Sequence, residues 1–155
     1  KNKYYFIHAT GRNGYNSTCA VLKEKGIDPK KQKNVEIREY INNMDVCLSA
    51  ADLVICRAGA ITLSELRAQG KAAILIPSPN VAENHQYHNA MSMVKRNAAR
   101  IIEEKDLTAE KLIETVDEVL EDLNTAKLIG KNAKNMAILD ANERIYRIIK
   151  NEIKA

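Results

Sequence analysis

The run Leu53-Val54-Ile55-Cys56-Arg57-Ala58-Gly59-Ala60-Ile61-Thr62-Leu63-Ser64-Glu65 decides how the chain is read. Its first four residues are uniformly apolar, the pattern of a strand covered on both faces. Small residues at 58 to 60 interrupt the run. From 61 to 69 the pattern is helical, and Gly70 supplies the stop. A strand that passes through a small-residue turn into a helix is half of a βαβ unit, and the alternation continues in both directions. Upstream, residues 4–9 form a strand candidate that ends at Gly11. Residues 15–25 read as a helix stopped by Gly26. Residues 35–40 alternate apolar and polar as a half-buried strand does, and a short helix spans 43–51. Downstream, 72–76 is a second buried strand closed by Pro77, 84–95 a helix, and 99–102 a last short strand. The rest is helical: 108–121 with Thr108 as N-cap and Glu110 in its first turn, then 124–135. A final amphipathic helix runs from Asp140 to 153 with Ile145, Ile148, Ile149 and Ile153 on one face.

This order predicts an α/β fold, a doubly wound parallel sheet with helices on both faces and a helical C-terminal tail. The 155 residues suit one domain with one substantial core. In such sheets ligands bind beyond the carboxyl ends of the strands. That rule selects four loops: 8–13, 40–43, 57–60 and 77–88.

The loop before the helix at 61 carries the most chemistry. Gly59 and Ala60 let a ligand approach the backbone. A helix start leaves N–H groups without partners, and its dipole favours an anion such as a diphosphate. Ile61 and Thr62 occupy that start. Glu65 sits one turn further in, where a carboxylate accepts two hydrogen bonds from adjacent hydroxyls such as those of a ribose. Arg57 is a cation beside the same turn; an ion pair within the fold is its other reading. The whole segment also suits an ordinary strand-to-helix turn with Glu65 on a solvated face. The loop at 77–88 offers Asn84, His85, Gln86 and His88, donors and acceptors suited to sugar hydroxyls, or else a polar loop with Asn84 as helix cap. His85 and His88 lack a third partner at metal-ligand spacing, so no metal is expected. Ile41 and Met44 flank a strand-to-helix junction with free backbone groups for a planar base, or an Asn-capped helix with Met44 in the core. Thr10 leads a loop that lacks the dinucleotide-binding glycine pattern.

In combination these segments resemble the donor-binding half of glycosyltransferase family 28, enzymes of GT-B architecture. The family moves N-acetylglucosamine from UDP-N-acetylglucosamine to lipid I in peptidoglycan synthesis. The resemblance rests on residues 40–44, 51–65, 76–79, 84–90 and 140–145 and extends over nearly the whole chain. It implies roles position by position. Ile41 presents its backbone to the uracil and Met44 lies near the base. Gly59, Ala60, Ile61 and Thr62 hold the diphosphate, with Thr10 and Arg57 beside it, and Glu65 binds the ribose. Gln86 reads the sugar, with Asn89 supporting the same pocket. His85 stands where one common version of the family motif has Gln. The family half opens with a further strand and a Gly-rich loop, and its acceptor site and general base belong to a separate N-terminal domain. The expectation is therefore a single UDP-sugar-binding domain at 1–155 without that first strand and loop. No catalytic residue of its own, no cofactor and no activity in isolation are expected.

Composition bounds what else fits. The net charge of +4, from 24 Lys and Arg against 20 Asp and Glu, is too small and scattered for nucleic acid. The three cysteines show no metal or redox spacing and read as small buried hydrophobes of a reducing compartment. No signal peptide or membrane-spanning run is evident, so the expected location is cytoplasmic, peripheral at the inner face of the membrane in the complete enzyme. Expected partners are UDP-N-acetylglucosamine and the N-terminal domain, the lipid-linked acceptor only through that domain, and a second copy through an exposed sheet edge. The competing expectations are another UDP-sugar enzyme of the same architecture, a lipid-linked-glycan transferase or epimerase, and a non-catalytic subunit of a split transferase.

Overall fold

A computed structural model describes residues 4–153. The chain divides after Cys47 into two compact units. In the first, β1 (Phe6–Ala9) pairs in parallel with β2 (Val35–Arg38), in register from Phe6 opposite Val35 to Ala9 opposite Arg38. Helix α1 (Tyr15–Glu24) connects them and packs on β2. β2 stops at Arg38 rather than Tyr40, because its partner has run out at Ala9. Gly11 and Gly26 both take positive φ, at the turn into α1 and just after its end. Helix α2 (Met44–Ala50) follows β2.

The second unit holds a parallel sheet in the order β3-β4-β5, formed by Leu53–Cys56, Ala72–Leu75 and Arg100–Ile101. β4 lies in the middle, and all four of its residues are buried. Alternation sends Ala73 and Leu75 to one face, where they meet Leu63 and Leu66 of α3 (Ala60–Gln69) and Ala90 and Met93 of α4 (His85–Val94). Ala72 faces the other way, onto Val119 of α5 (Ala109–Leu120) and Ala126 and Ile129 of α6 (Leu123–Lys134). Helices thus cover both faces, as the doubly wound reading requires. Burial of each of these leucines contributes about 2 kcal/mol.

Local chemistry sets the helix ends. The Thr108 hydroxyl accepts the backbone N–H of Lys111 at 3.1 Å, the expected cap of α5. The Asp122 carboxylate accepts that of Asn124 at 2.9 Å, so α6 begins earlier than its apolar pattern indicates. Gly70 ends α3 at φ 66°. Asn84 does not cap α4 through its side chain; it and Glu83 both stand at φ 51° within a short 3-10 turn at Ala82–Asn84. The last helix, α7 (Ala141–Ile153), forms where its periodicity places it. It buries no residue, and Ile145, Ile148, Ile149 and Ile153 all remain exposed.

Candidate functional site

The carboxyl ends of β3 and β4 open onto the start of α3. Gly59 is extended, at φ −69° and ψ 145°, and has no side chain with which to cap the helix. The first bond within the helix is from the N–H of Leu63 to the carbonyl of Gly59 at 3.0 Å. The N–H groups of Ala60, Ile61 and Thr62 precede it and are the orphan donors of the helix start. They are not enclosed: Ala60 is exposed and Ile61 is 78% exposed. A methyl group added at Gly59 would meet nothing nearer than the Thr62 hydroxyl, at 3.9 Å. Glu65 is exposed one turn into the helix, with no hydrogen bond or ion pair among the described residues. The arrangement is a bare, positively polarised helix tip with a free carboxylate beyond it.

The turn itself is held from below. Asn89 of α4 donates its side-chain amide to the carbonyl of Ala58 at 3.2 Å, and Ala58 is fully buried. Asn89 thus positions the loop that presents Gly59. The side-chain oxygen of Gln86 accepts the backbone N–H of Ser78 at 3.0 Å, tying α4 to the loop after β4. The Gln86 amide N–H groups have no partner among the described residues. The Nδ1 of His85 lies 2.9 Å from the carbonyl of Ala82, a position from which it donates its N–H to that oxygen. His88 stacks edge-on against Tyr87.

Arg57 forms an ion pair within the fold. Its Nη1 donates to the Glu104 carboxylate and, at 3.3 Å, to the carbonyl of Ile76, so that guanidinium ties β3, β4 and the loop after β5 together. Glu104 was not among the expected site residues. It follows β5, and the rule that directs attention to strand ends applies to it equally. Beside this pair lies a cavity of about 330 Å³ lined by Pro77, Pro79, Asn84, Tyr87, Glu104 and Lys105. The two consecutive left-handed residues Glu83 and Asn84 lead into it. Glu83 costs about 1 to 2 kcal/mol there, and Asn84 less because asparagine enters this region readily; such strain gathers at ligand-binding loops.

The first unit places its own candidates. The Thr10 hydroxyl lies 3.0 Å from the carbonyl of Gly11 and 3.3 Å from that of Arg38, the residue whose carbonyl also accepts the Thr10 N–H. Ile41 is half-buried, and Met44 opens α2 with its side chain exposed rather than in a core. Arg38 bonds to Glu36 at 2.7 Å and to Asn43 at 3.1 Å, fixing the junction between β2 and α2. The Arg38 guanidinium holds the Glu36 carboxyl below its ordinary range. All three cysteines are half-buried, and burial pushes the Cys56 thiol up to about 11. Among the described residues no group of His, Cys, Asp and Glu suits a metal ion, and no helix is long and apolar enough to cross a membrane.

The comparisons with known proteins agree with one another. Residues 1–150 match the family described as glycosyltransferase family 28 C-terminal domain. A UDP-N-acetylglucosamine–N-acetylmuramyl-(pentapeptide) pyrophosphoryl-undecaprenol N-acetylglucosamine transferase of Acetivibrio thermocellus is 45% identical over 151 residues. That match takes in 97% of this chain and 40% of the relative. A Bacillus cereus protein of the same name is 42% identical over the same shares. Among solved structures, Acinetobacter baumannii MurG superposes with a TM-score of 0.80 at 26% identity, over 96% of this chain and 41% of that one. The glycosyltransferase VinC, solved with dTDP, gives a TM-score of 0.62 at 17% identity over 88% of this chain and 33% of its own, a likeness of fold alone. The chain spans about two fifths of the length of the curated relatives it matches.

Proposed function

The chain belongs to the glycosyltransferase family 28 C-terminal domains, and on that premise we propose that it binds UDP-N-acetylglucosamine as the donor half of an inverting N-acetylglucosaminyltransferase acting on lipid I. The observation that carries this reading is the uncapped, exposed start of α3 with Glu65 unpaired one turn inside it. The N–H groups of Ala60, Ile61 and Thr62 receive the diphosphate, and Glu65 accepts two ribose hydroxyls. Gln86, with its amide N–H groups free, and His85 read the sugar, while Asn89 keeps the Ala58–Gly59 turn in place. Ile41, Met44 and Thr10 take base and phosphate roles on the family resemblance.

Transfer is displacement at the anomeric carbon with UDP as the leaving group. As the bond to the diphosphate breaks, negative charge grows on its oxygen. Preoriented N–H donors and the helix dipole stabilise that charge without reorganising. The acceptor hydroxyl loses its proton to a base supplied by the remainder of the enzyme, which also places the activity at the inner face of the membrane. Each sheet has strand edges unpaired among the described residues, and Phe6 and Ile7 of β1 are exposed. Self-association through such an edge follows; sedimentation as a strict monomer at high concentration would count against it.

The deciding experiment is calorimetric titration of the chain with UDP-N-acetylglucosamine and UDP-glucose. Glu65→Ala is expected to weaken donor binding about tenfold, the worth of hydrogen bonds to a charged group. Equal affinity in parent and variant would overturn the placement of the ribose. Equal affinity for the two sugars would overturn the assignment of the donor.

A further inference from the structure

The opposite end of α3 shows a second concentration of unsatisfied donors. Arg67 lies in the last turn of α3, roughly 10 Å along the axis from Ala60. It borders an open cavity of about 600 Å³ shared with Ser92, Arg96, Asn132, Asn135 and Met136. These residues come from the C-terminal ends of α3, α4 and α6, or just beyond them. The two guanidiniums meet at one serine. Arg67 Nη2 donates to the Ser92 hydroxyl at 2.9 Å, and Arg96 Nη1 donates to the Ser92 carbonyl at 3.1 Å. Neither arginine forms an ion pair among the described residues. Arg67 Nε is enclosed in the fold, with no hydrogen-bond partner among the described residues. The Asn135 side chain is likewise without a partner among the described residues, while Asn132 is committed to the carbonyl of Asn97 at 3.0 Å.

Cations near helix C-terminal ends have an ordinary use, to offset the negative end of the dipole. That use accounts for one bond, from Arg96 to the Ser92 carbonyl. It does not account for Arg67, which reaches no helix carbonyl, or for two like charges brought to one residue with no carboxylate between them. Burial and the nearby Arg96 charge hold the Arg67 guanidinium below its usual value. Arg67 keeps its Nη1 N–H groups, and Arg96 its Nε and Nη2, without a partner among the described residues. These remaining guanidinium donors and the Asn135 amide match tetrahedral oxyanions, which accept several charge-assisted hydrogen bonds at once.

We propose that the cavity bounded by Arg67, Ser92, Arg96 and Asn135 is a second anion site, built for a phosphate-bearing molecule. Amide chemical shifts of the 155-residue chain, followed during titration with inorganic pyrophosphate, test it. Saturable shifts are expected at Ser92, Arg96 and Asn135, separate from any at Ala60 to Thr62. The pair Arg67→Gln with Arg96→Gln is expected to weaken the first set at least about tenfold and leave the second unchanged. The pair Arg67→Lys with Arg96→Lys keeps the charge and is expected to retain partial binding, which separates loss of the site from loss of the fold. A parallel arm measures co-sedimentation with phosphatidylglycerol vesicles. Binding of pyrophosphate assigns the site to a soluble phosphate. Binding of vesicles alone, lost in the Gln pair, assigns it to a lipid headgroup. No shift at Ser92, Arg96 and Asn135 together with no arginine-dependent vesicle binding would overturn the proposal, as would shifts there that persist in the Gln pair.

Discussion

The two ends of α3 are both marked by glycine, yet the glycines answer different needs. At the N-terminal end, Gly59 has an ordinary extended backbone and open space where a side chain would go. At the C-terminal end, Gly70 stands at φ 66°, and a Cβ there would lie 3.3 Å from the Gly130 carbonyl of α6. Gly130 is more confined still, since its Cβ would fall 2.3 Å from the Gly70 carbonyl. One end is closed by backbone against backbone. The other is kept open although the fold has no steric need of it. On the proposed function, a glycine that packing does not require leaves the backbone N–H groups of this helix start accessible to the diphosphate.

The largest effect is expected at the closed end. Gly130→Ala drives a methyl group into the Gly70 carbonyl, and the contact is between main chains, so no side chain can rotate away. Overpacking of this kind costs about 3 kcal/mol. Urea denaturation would show it as a lower midpoint. A midpoint equal to the parent's would mean that α3 and α6 separate easily there, and the contrast between the two ends would fail.

The open end should behave in the opposite sense. Gly59→Asp meets no obstruction, and its carboxylate would occupy the N–H groups now left free. Stability is expected to hold or rise by a few tenths of a kcal/mol. Donor affinity is expected to fall about thirtyfold, about 2 kcal/mol, because the new charge both blocks and repels the diphosphate. Calorimetry with UDP reads the affinity, and the denaturation midpoint reads the stability. An unchanged affinity would break the link between the bare tip and the ligand.

The difference between the ends also explains what could be read from the chain alone. Gly59 and Gly70 were legible because their signals are local, a small-residue turn after an apolar strand and a stop after a helical pattern. Gly130 was not, because its reason is a carbonyl sixty residues away in sequence. The same holds across the site. Glu65 and the helix start follow from spacing, but the Asn89 bond to Ala58, the Gln86 bond to Ser78 and the pairing of Arg57 with Glu104 are tertiary contacts that no period announces. Asn84 was read as the ordinary start of a helix, since nothing local predicts that it and Glu83 are two successive left-handed residues with side chains. The isoleucine face of α7 was legible as a face. Where it packs is not a property of the helix, and α7 buries none of it.

The smallest effect supplies the control. α5 also starts after an extended residue, but there Thr108 fills the role that Gly59 leaves vacant, its hydroxyl on the Lys111 N–H. Thr108→Ala removes that bond and is expected to cost about 1 kcal/mol of stability. Donor affinity should not change, because the α5 start closes on its own side chain and offers no ligand a donor. Thermal melting and UDP titration on the same sample separate the two readouts. A loss of donor binding in this variant would mean that affinity follows general stability, and the Gly59→Asp result would then lose its meaning. If affinity holds while stability falls, the two helix starts differ in kind: one is finished by the chain itself, and the other is left for a phosphate to complete.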